Sequence, residues 1–235
     1  MDPRLTVILP VWNESEALPR VLDDVLAVAA QDGFSVLVMD DGSTDGSAAL
    51  LNDTASRMHR LRVVHLPHGG KDAALWRAFA EAGTEWVGVM DADGQYDPAD
   101  FVRVLGHADA TGADAVWGIR SVREDNGVRK LSSWMGRMMK RLLLGPMVVR
   151  DPGCGLVIMR RKFCMPVIEA CPRPFGQLHC HLADLIRAQG GVVAELPIAH
   201  RPRQAGSAKF GAMNRIVPGL ASLVQARRVR EKLHS

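Results

Sequence analysis

Long apolar runs are absent from this chain of 235 residues. The longest stretch without Asp, Glu, Lys or Arg is Ile216–Ala226, eleven residues with a proline inside, against the ~20 that a membrane-spanning helix needs. The opening MDPRLTVILPVW places an acid ahead of a short apolar run, so it reads as a strand and not as a secretion signal. Cysteine is scarce. Cys154, Cys164, Cys171 and Cys180 form no C-x-x-C pair, and without an export signal they are expected to be reduced, buried thiols of a cytoplasmic protein. The row His179-Cys180-His181 is not read as a metal site, because neighbouring side chains on a helix point in different directions. Aromatic residues are only 5%, with one Tyr. The basic segments lack interleaved aromatics, and nucleic acid is therefore excluded as a partner.

What is present is an ordinary globular composition, 47% hydrophobic and 23% charged, which excludes bulk disorder. The net charge of +3 hides a gradient. Residues 1–119 carry 8 basic and 19 acidic side chains, residues 120–161 carry 10 and 3, and residues 201–235 carry 8 and 1. An acidic front and a basic back suggest a site where one half holds a cation and the other an anionic ligand.

Short β-branched runs alternate with segments of helical period. Strands are expected at Leu5–Val11, Phe34–Met39, Leu61–Leu66, Trp86–Met90 and Ala113–Ile119. Helices are expected at Glu16–Ala30, from a Ser43/Thr44 cap to about Arg57, at Lys71–Glu81 and at Pro98–Ala108. This order predicts an α/β fold with a mostly parallel sheet flanked by helices. Beyond residue 120 the alternation lapses into a basic helix Gly127–Leu144, a strand Gly155–Met159, a helix Gly176–Gln189 and a strand Val192–Ile198. From Phe210 the apolar residues Met213, Ile216/Val217, Leu220 and Leu223/Val224 return at helical spacing, with Pro218 marking a kink or a first turn. The expected organisation is one domain over residues 1–210, followed by an amphipathic, basic C-terminal helix over 211–235.

In parallel α/β folds the ligand sits beyond the carboxyl ends of the strands. There the sequence places Pro10-Val11-Trp12-Asn13-Glu14, Asp40-Asp41-Gly42-Ser43-Thr44-Asp45-Gly46 and Asp91-Ala92-Asp93-Gly94-Gln95. Crowded carboxylates need a cation or hydrogen-bond donors between them. Asp93 and Gln95, two apart, could present two oxygens to a hard ion such as Mg²⁺ or Mn²⁺, which keeps positions open for substrate phosphates. Singly, each cluster is also what a turn or a helix cap looks like.

Together, PVWNE, DDGSTDG, HGGKDAAL and MDADGQYDP resemble, in order and spacing, the family-2 nucleotide-sugar glycosyltransferases of the GT-A fold. Within that family the chain looks like the dolichol- or polyprenyl-phosphate sugar synthases (the dolichyl-phosphate mannosyltransferase-like branch). The further matches are the basic segment Arg120–Ser133, DPGCGLVIMRR, the Phe175–Gly190 helix and the run from VVAELPIAHRPRQAG to Lys209-Phe210-Gly211. The resemblance implies that Pro10, Asn13, Glu14 and Asp41 hold the base and ribose of a UDP- or GDP-sugar. It places Asp91 at the ribose or behind the metal, and Asp93 and Gln95 on the Mg²⁺ or Mn²⁺ that carries the diphosphate. Arg203 and Lys209 match cations used on the diphosphate or on an acceptor phosphate, and Arg120 and Arg129 match basic positions of the central segment. The plain alternative for these four is a solvated basic face. A metal with fixed cations suits the chemistry, since a departing nucleoside diphosphate develops negative charge.

Relatives that glycosylate hydroxyls carry a Glu-Asp pair entering the helix at 175–190, whereas this chain reads Phe175-Gly176-Gln177-Leu178-His179. A hydroxyl acceptor needs a base and an ionised phosphate does not, so the expected acceptor is a polyprenyl phosphate. The alternative is a saccharide or lipid hydroxyl, with His179 as a possible base. The chain departs from the branch at Cys180-His181, where relatives show Arg-Phe, and in the order of Ser207 and Lys209. The Met213–Val224 segment with Arg227, Arg228, Arg230 and Lys232 could lie on an anionic leaflet, or pack on the domain with a solvated end. The expected location is the cytoplasm, with peripheral contact on the cytoplasmic face of the membrane.

Overall fold

The computed structural model describes residues 3–120, 138–171, 175–202 and 216–234. In chain order these form β1 (Leu5–Val11), α1 (Leu18–Asp32), β2 (Ser35–Asp40), α2 (Ser47–Arg57), β3 (Leu61–His65), α3 (Lys71–Glu81), β4 (Trp86–Val89), α4 (Asp100–Thr111) and β5 (Ala115–Arg120). There follow α5 (138–144), β6 (Val157–Arg160), α6 (Arg161–Ala170), α7 (Leu178–Ala188), β7 (Val193–Ile198) and α8 (Ile216–His234). The alternation read from the sequence is the one observed. The proposed boundary at residue 210, and most of the basic helix expected from Gly127, lie outside the described residues.

Seven described strands make one sheet in the order β3-β2-β1-β4-β6-β5-β7. β6 runs antiparallel to both neighbours, and the other pairings are parallel. One edge therefore collects the carboxyl ends of β1, β2, β3, β4 and β5 together with the start of β6. The pairings Val11 with Asp40, Ile8 with Val89, and Trp117 with Val157 lie along it. The central strands are buried on both faces: Leu5, Ile8 and Leu9 of β1, Trp86 of β4 and Trp117 of β5 are all closed to solvent, as expected of strands covered by helices on both sides.

Two local expectations are corrected. The helix after β2 starts at Ser47. Ser43 and Thr44 do not cap it, because they are held by the loop after β1: the Asn13 N–H donates to Ser43 Oγ (3.0 Å), and Thr44 N–H donates to Asn13 Oδ1 (2.7 Å). Helix α6 was not expected, since Pro166 lies inside it and a proline there reads as a breaker. Burial of Cys164, Val167 and Ile168 against the core holds the helix despite the lost hydrogen bond.

Helices α3, α6, α7 and α8 pack on one another. In α8, Pro218 falls in the first turn, where a missing N–H costs nothing. Leu223, Ala226 and Val229 are buried, so the described apolar stripe of α8 is used against the domain. Arg227 and Arg228 stay exposed, and Arg230 donates to the Leu144 carbonyl at the end of α5.

The α7–α8 contact contains a buried histidine. His181 Nε2 donates to Ser222 Oγ (3.0 Å), which donates onward to the Gly219 carbonyl (2.8 Å). His181 Nδ1 is buried without a partner. Burial, reinforced by the Lys140 and His179 cations, pushes the imidazole down to about 3, from about 6.5 in an unfolded chain. Below pH ~6.5 the unfolded chain therefore binds the extra proton, and stability falls as the pH falls. From this residue alone, stability should drop by roughly 1.4 kcal/mol per pH unit below that point. Urea unfolding at a series of acidic pH values should show a shallower slope for His181→Asn than for the wild type.

Candidate active site

The site is built at the strand-end edge, beginning with two interlocked loops. Asn13, after β1, is a non-glycine residue in the left-handed region (φ 53°). The amides of the next two residues are also bound by the DDGSTDG turn and the Ser47 that follows it: Glu14 N–H donates to Ser47 Oγ (3.2 Å) and Ser15 N–H to Asp45 Oδ2 (2.9 Å). Desolvation works against the Asp45 charge, but the Ser47 hydroxyl, which donates to Oδ1 (2.6 Å), and the Ser15 and Ser47 amides hold its carboxyl well below the usual range. The DDGSTDG turn thus clamps the PVWNE loop. Pro10, the last residue but one of β1, pairs with Met39.

Asp41 is buried and takes both amides of the following glycine pair: Gly69 N–H reaches Oδ1 and Gly70 N–H reaches Oδ2, each at 2.8 Å. Gly70 has φ 87°, a conformation that favours glycine, which explains why the chain enters α3 through Gly-Gly. His68 Nδ1 lies 2.8 Å from Asp41 Oδ2, and the His68 ring stacks on Trp12 at 4.4 Å between centroids. This aromatic pair stands at the crest of the sheet, beside Asn13 and Asp41. Nothing in the spacing of Trp12 and His68 marked them, because they come from the loops after two different strands, β1 and β3.

Beyond this crest, Lys71, the first residue of α3, forms an ion pair with Asp91 after β4. Burial works against both charges, but each partner outweighs it: the Asp91 carboxyl is held below its usual range, with His179 and Arg120 assisting, and the Lys71 ammonium is raised. Asp93 is buried, and its Oδ1 accepts the Gln95 N–H (3.2 Å). The Gln95 amide Nε2 donates to the Arg201 carbonyl (3.1 Å), while Arg201 N–H donates to the Gln95 carbonyl (2.8 Å). Arg201 is further tied to Asp97 at 2.6 Å, so the segment after β7 is docked on the DADGQYDP loop.

Arg120, at the end of β5, grips the buried Asp151 with two bonds, Nε to Oδ2 (2.6 Å) and Nη2 to Oδ1 (2.7 Å). Burial disfavours the guanidinium, and Asp151 reverses that. The start of β6 comes equally close: Gly155 N–H donates to the buried Tyr96 hydroxyl (2.8 Å). A Cβ at Gly155 would collide with the Asp91 carboxylate. Lys71, Tyr96, Asp151 and Gly155 were not singled out from the sequence, although all four lie inside the quoted motifs.

A third cluster joins the first turns of α3 and α7. The Asp72 carboxylate accepts Gln177 N–H at Oδ2 (2.6 Å) and faces His179 Nδ1 at Oδ1 (3.2 Å). His179 Nε2 lies 3.2 Å from Cys180 Sγ, whereas His181 turns away to Ser222. Adjacent side chains at this helix start do meet, contrary to expectation, but the three residues do not converge. Among the described residues no three His, Cys, Asp or Glu groups gather around one point.

Asp93 and Gln95 thus offer a buried carboxylate and an amide oxygen on one short loop, with Asp91 alongside. That donor set fits Mg²⁺ or Mn²⁺ bound through one or two protein oxygens and completed by phosphate. The structure brings together Asp91, Asp93, Gln95 and Arg120 at one end of the edge, and Pro10, Asn13, Glu14 and Asp41 at the other. Arg129, Arg203 and Lys209 lie outside the described residues.

The close approach at β6 has a measurable consequence. Gly155→Ala is expected to lower stability by about 1–3 kcal/mol through overpacking. Gly106→Ala, in an exposed turn of α4 with open space around it, should instead raise it by roughly 0.5–1 kcal/mol. Urea midpoints of the two variants should move in opposite directions.

A family model for glycosyl transferase family 2 matches residues 6–166. The chain is 32% identical over 221 residues to an undecaprenyl-phosphate 4-deoxy-4-formamido-L-arabinose transferase of Pectobacterium carotovorum, covering 90% of this chain and 64% of that protein. It is 30% identical over 224 residues to the enzyme of the same name from Enterobacter sp. strain 638, again with 64% of the relative covered. The chain thus spans 64% of the length of these curated relatives. Among solved structures it is similar to glucosyl-3-phosphoglycerate synthase from Mycobacterium tuberculosis in complex with Mn²⁺, UDP-glucose and phosphoglyceric acid. The TM-score is 0.69 at 23% identity, over 94% of this chain and 79% of the other. A mannosyltransferase from Pyrobaculum calidifontis in complex with GDP-Man and Mn²⁺ aligns with TM-score 0.66 at 21% identity, over 96% and 63%. These likenesses show the GT-A fold. With its fold and strand-end motifs matched, the chain belongs to glycosyltransferase family 2.

Proposed function

We propose that this chain carries an inverting, metal-dependent glycosyltransferase activity that moves a sugar from a nucleotide diphosphate to a polyprenyl phosphate. The observation that carries the choice of acceptor is the first turn of α7. No carboxylate pair stands there. His179 is held by Asp72 on one side and Cys180 on the other, and although burial opposes its charge, these partners raise it to about 10. An imidazolium cannot accept the proton of an attacking hydroxyl. The acceptor is then one that needs no base, an anion whose oxygen attacks the anomeric carbon as the bond to the diphosphate breaks.

The remaining roles follow from position. Trp12 and His68 offer stacking faces for a base, with Pro10, Asn13, Glu14 and Asp41 around them for the nucleoside. Asp93 and Gln95 would hold Mg²⁺ or Mn²⁺, which when bound supplies charge stabilisation to the departing diphosphate. Asp91 is kept ionised beside them by Lys71. Arg120, fixed by Asp151, contributes a cation of set orientation, and Arg129, Arg203 and Lys209 are assigned to the diphosphate or the acceptor phosphate. The undecaprenyl-phosphate acceptors in the relatives' names, and the UDP-glucose, GDP-Man and Mn²⁺ of the structural neighbours, support the same classes of ligand here. No described helix is long and apolar enough to cross a membrane. A lipid acceptor would be met at the bilayer surface, where the exposed Arg227 and Arg228 provide charge, and the cytoplasmic face is the side assigned. The second reading, a hydroxyl acceptor, requires His179 to be neutral.

Two measurements test this. Asp93→Ala should abolish metal-dependent turnover, whereas Asp45→Ala should mainly cost stability, by about 1 kcal/mol, through loss of the Ser47 contacts at the start of α2. Assayed with a short polyprenyl phosphate and with the matching polyprenol, in the presence of Mn²⁺ and a panel of UDP- and GDP-sugars, the protein should use the phosphate. Turnover on the alcohol alone would overturn the acceptor assignment, and equal activity of Asp93→Ala and wild type would overturn the site.

A further inference from the structure

The four cysteines are not equivalent. Cys154, Cys164 and Cys171 are buried in the core, where burial pushes their thiols up to about 11, 12 and 12. Thiols in such places behave as small apolar groups. Cys180 is only half-buried and sits in the first turn of α7, where the helix dipole favours negative charge.

Its surroundings are ordered for charge. Asp72, anchored on Gln177 N–H, faces His179 Nδ1, which leaves Nε2 directed at the sulfur 3.2 Å away. The result is a carboxylate, an imidazole and a thiol in line, drawn from two helices. Among the described residues the titratable groups around it are Lys71 and Asp72 from α3, Asp91 after β4, Lys140 from α5, His179, the neutral His181 and Asp184 on α7 itself, and Arg230 of α8 beyond Asp184. Lys140 Nζ donates to the Cys180 carbonyl (3.0 Å) and pairs with Asp184 at 2.5 Å, and Lys71 pairs with Asp91. Burial would raise the Cys180 thiol, but His179, Lys140 and Lys71 outweigh it and the net shift is downward.

We propose that Cys180 is a modification site: a thiolate, ion-paired with the His179 imidazolium, that exchanges with small disulfides and thereby switches off the neighbouring Lys71–Asp91 site. Sγ attacks one sulfur of the disulfide. A new S–S bond forms as the original one breaks, and the electron pair leaves on the departing thiolate, which takes a proton from solvent. The Cys180 sulfur is oxidised and the departing sulfur reduced, so no other reactant is needed. The other three cysteines are buried, so the mixed disulfide persists until a small thiol reverses it. The adduct removes the negative charge that His179, Lys71 and Lys140 share and adds bulk beside the first turn of α3. This switching consequence rests on the proposed function, whereas the reactivity of the thiol does not.

The test uses the full chain and an aromatic disulfide reagent that releases a coloured thiolate. Native protein should show one fast thiol and denatured protein all four cysteines, and the fast phase should vanish in Cys180→Ser. The midpoint of its rate against pH should lie below the ~8.5 of a free cysteine and move up in both His179→Gln and Asp72→Asn. A fast phase that survives in Cys180→Ser, or a wild-type midpoint at or above 8.5, overturns the proposal. For the switch, Mn²⁺-dependent stabilisation by UDP and GDP is measured by thermal shift before and after modification. It should be lost in modified wild type, return with excess small thiol, and be untouched in reagent-treated Cys180→Ser. Undiminished binding in modified wild type overturns the switch. Absence of binding in both unmodified proteins counts instead against the proposed function, and the thiol kinetics still decide the reactivity.

Discussion

Lys71 and Asp91 meet where the first turn of α3 crosses the end of β4, and much of the site depends on that contact. A parallel sheet that ends in Asp40, Asp41, Asp91 and Asp93 gathers like charges along one edge, which is tolerable only if each is given donors or a counter-charge. The loop entering α3 supplies several of them in sequence. The Gly69 and Gly70 amides go to Asp41, the Lys71 ammonium to Asp91, and the neighbouring Asp72 reaches across to Gln177 and His179. One short segment thus couples the strand-two loop, the strand-four loop and helix α7.

The division of charge along the chain acquires a spatial meaning from this arrangement. Asp91, Asp93 and Gln95 face the side on which β6 enters the sheet, and that side carries Arg120 locked on Asp151. Because β6 runs antiparallel, its leading residues rather than its trailing ones reach the edge, and Gly155 can approach Asp91 as no larger residue could. At the far side, His179 occupies a position of induced charge: Asp72 and Cys180 both favour the cation over the neutral ring, and burial fails to reverse them. A ring held as the cation has no lone pair with which to take a proton.

Much of the fold was legible because hydrophobic period reports burial, and burial is what strands and helices in an α/β sheet share. The strand-end acids were legible for a related reason: the loops after β1, β2 and β4 are where such a sheet exposes its ligand crevice. Helix α6 was not, since Pro166 argues locally against a helix that the packing of Cys164, Val167 and Ile168 enforces. Ser43 and Thr44 look like helix caps in one dimension. In three dimensions the loop after β1 competes for them and holds them. The Trp12–His68 stack and the Asp72–His179–Cys180 chain each join residues from different elements, so no spacing rule could have found them.

The amino-acid sequence by itself determined the alternation of strands and helices up to residue 120, the family to which the motifs belong, and the acids that gather at the strand ends, because each is encoded in patterns a few residues long. The tertiary structure alone decided which partner each acid received. It made Asp41 a loop anchor, paired Asp91 with Lys71, turned His179 into a cation and separated Cys180 from the three thiols of the core. Those outcomes depend on distances between elements far apart in the chain and on how much water remains around each group, and neither quantity is written in local order.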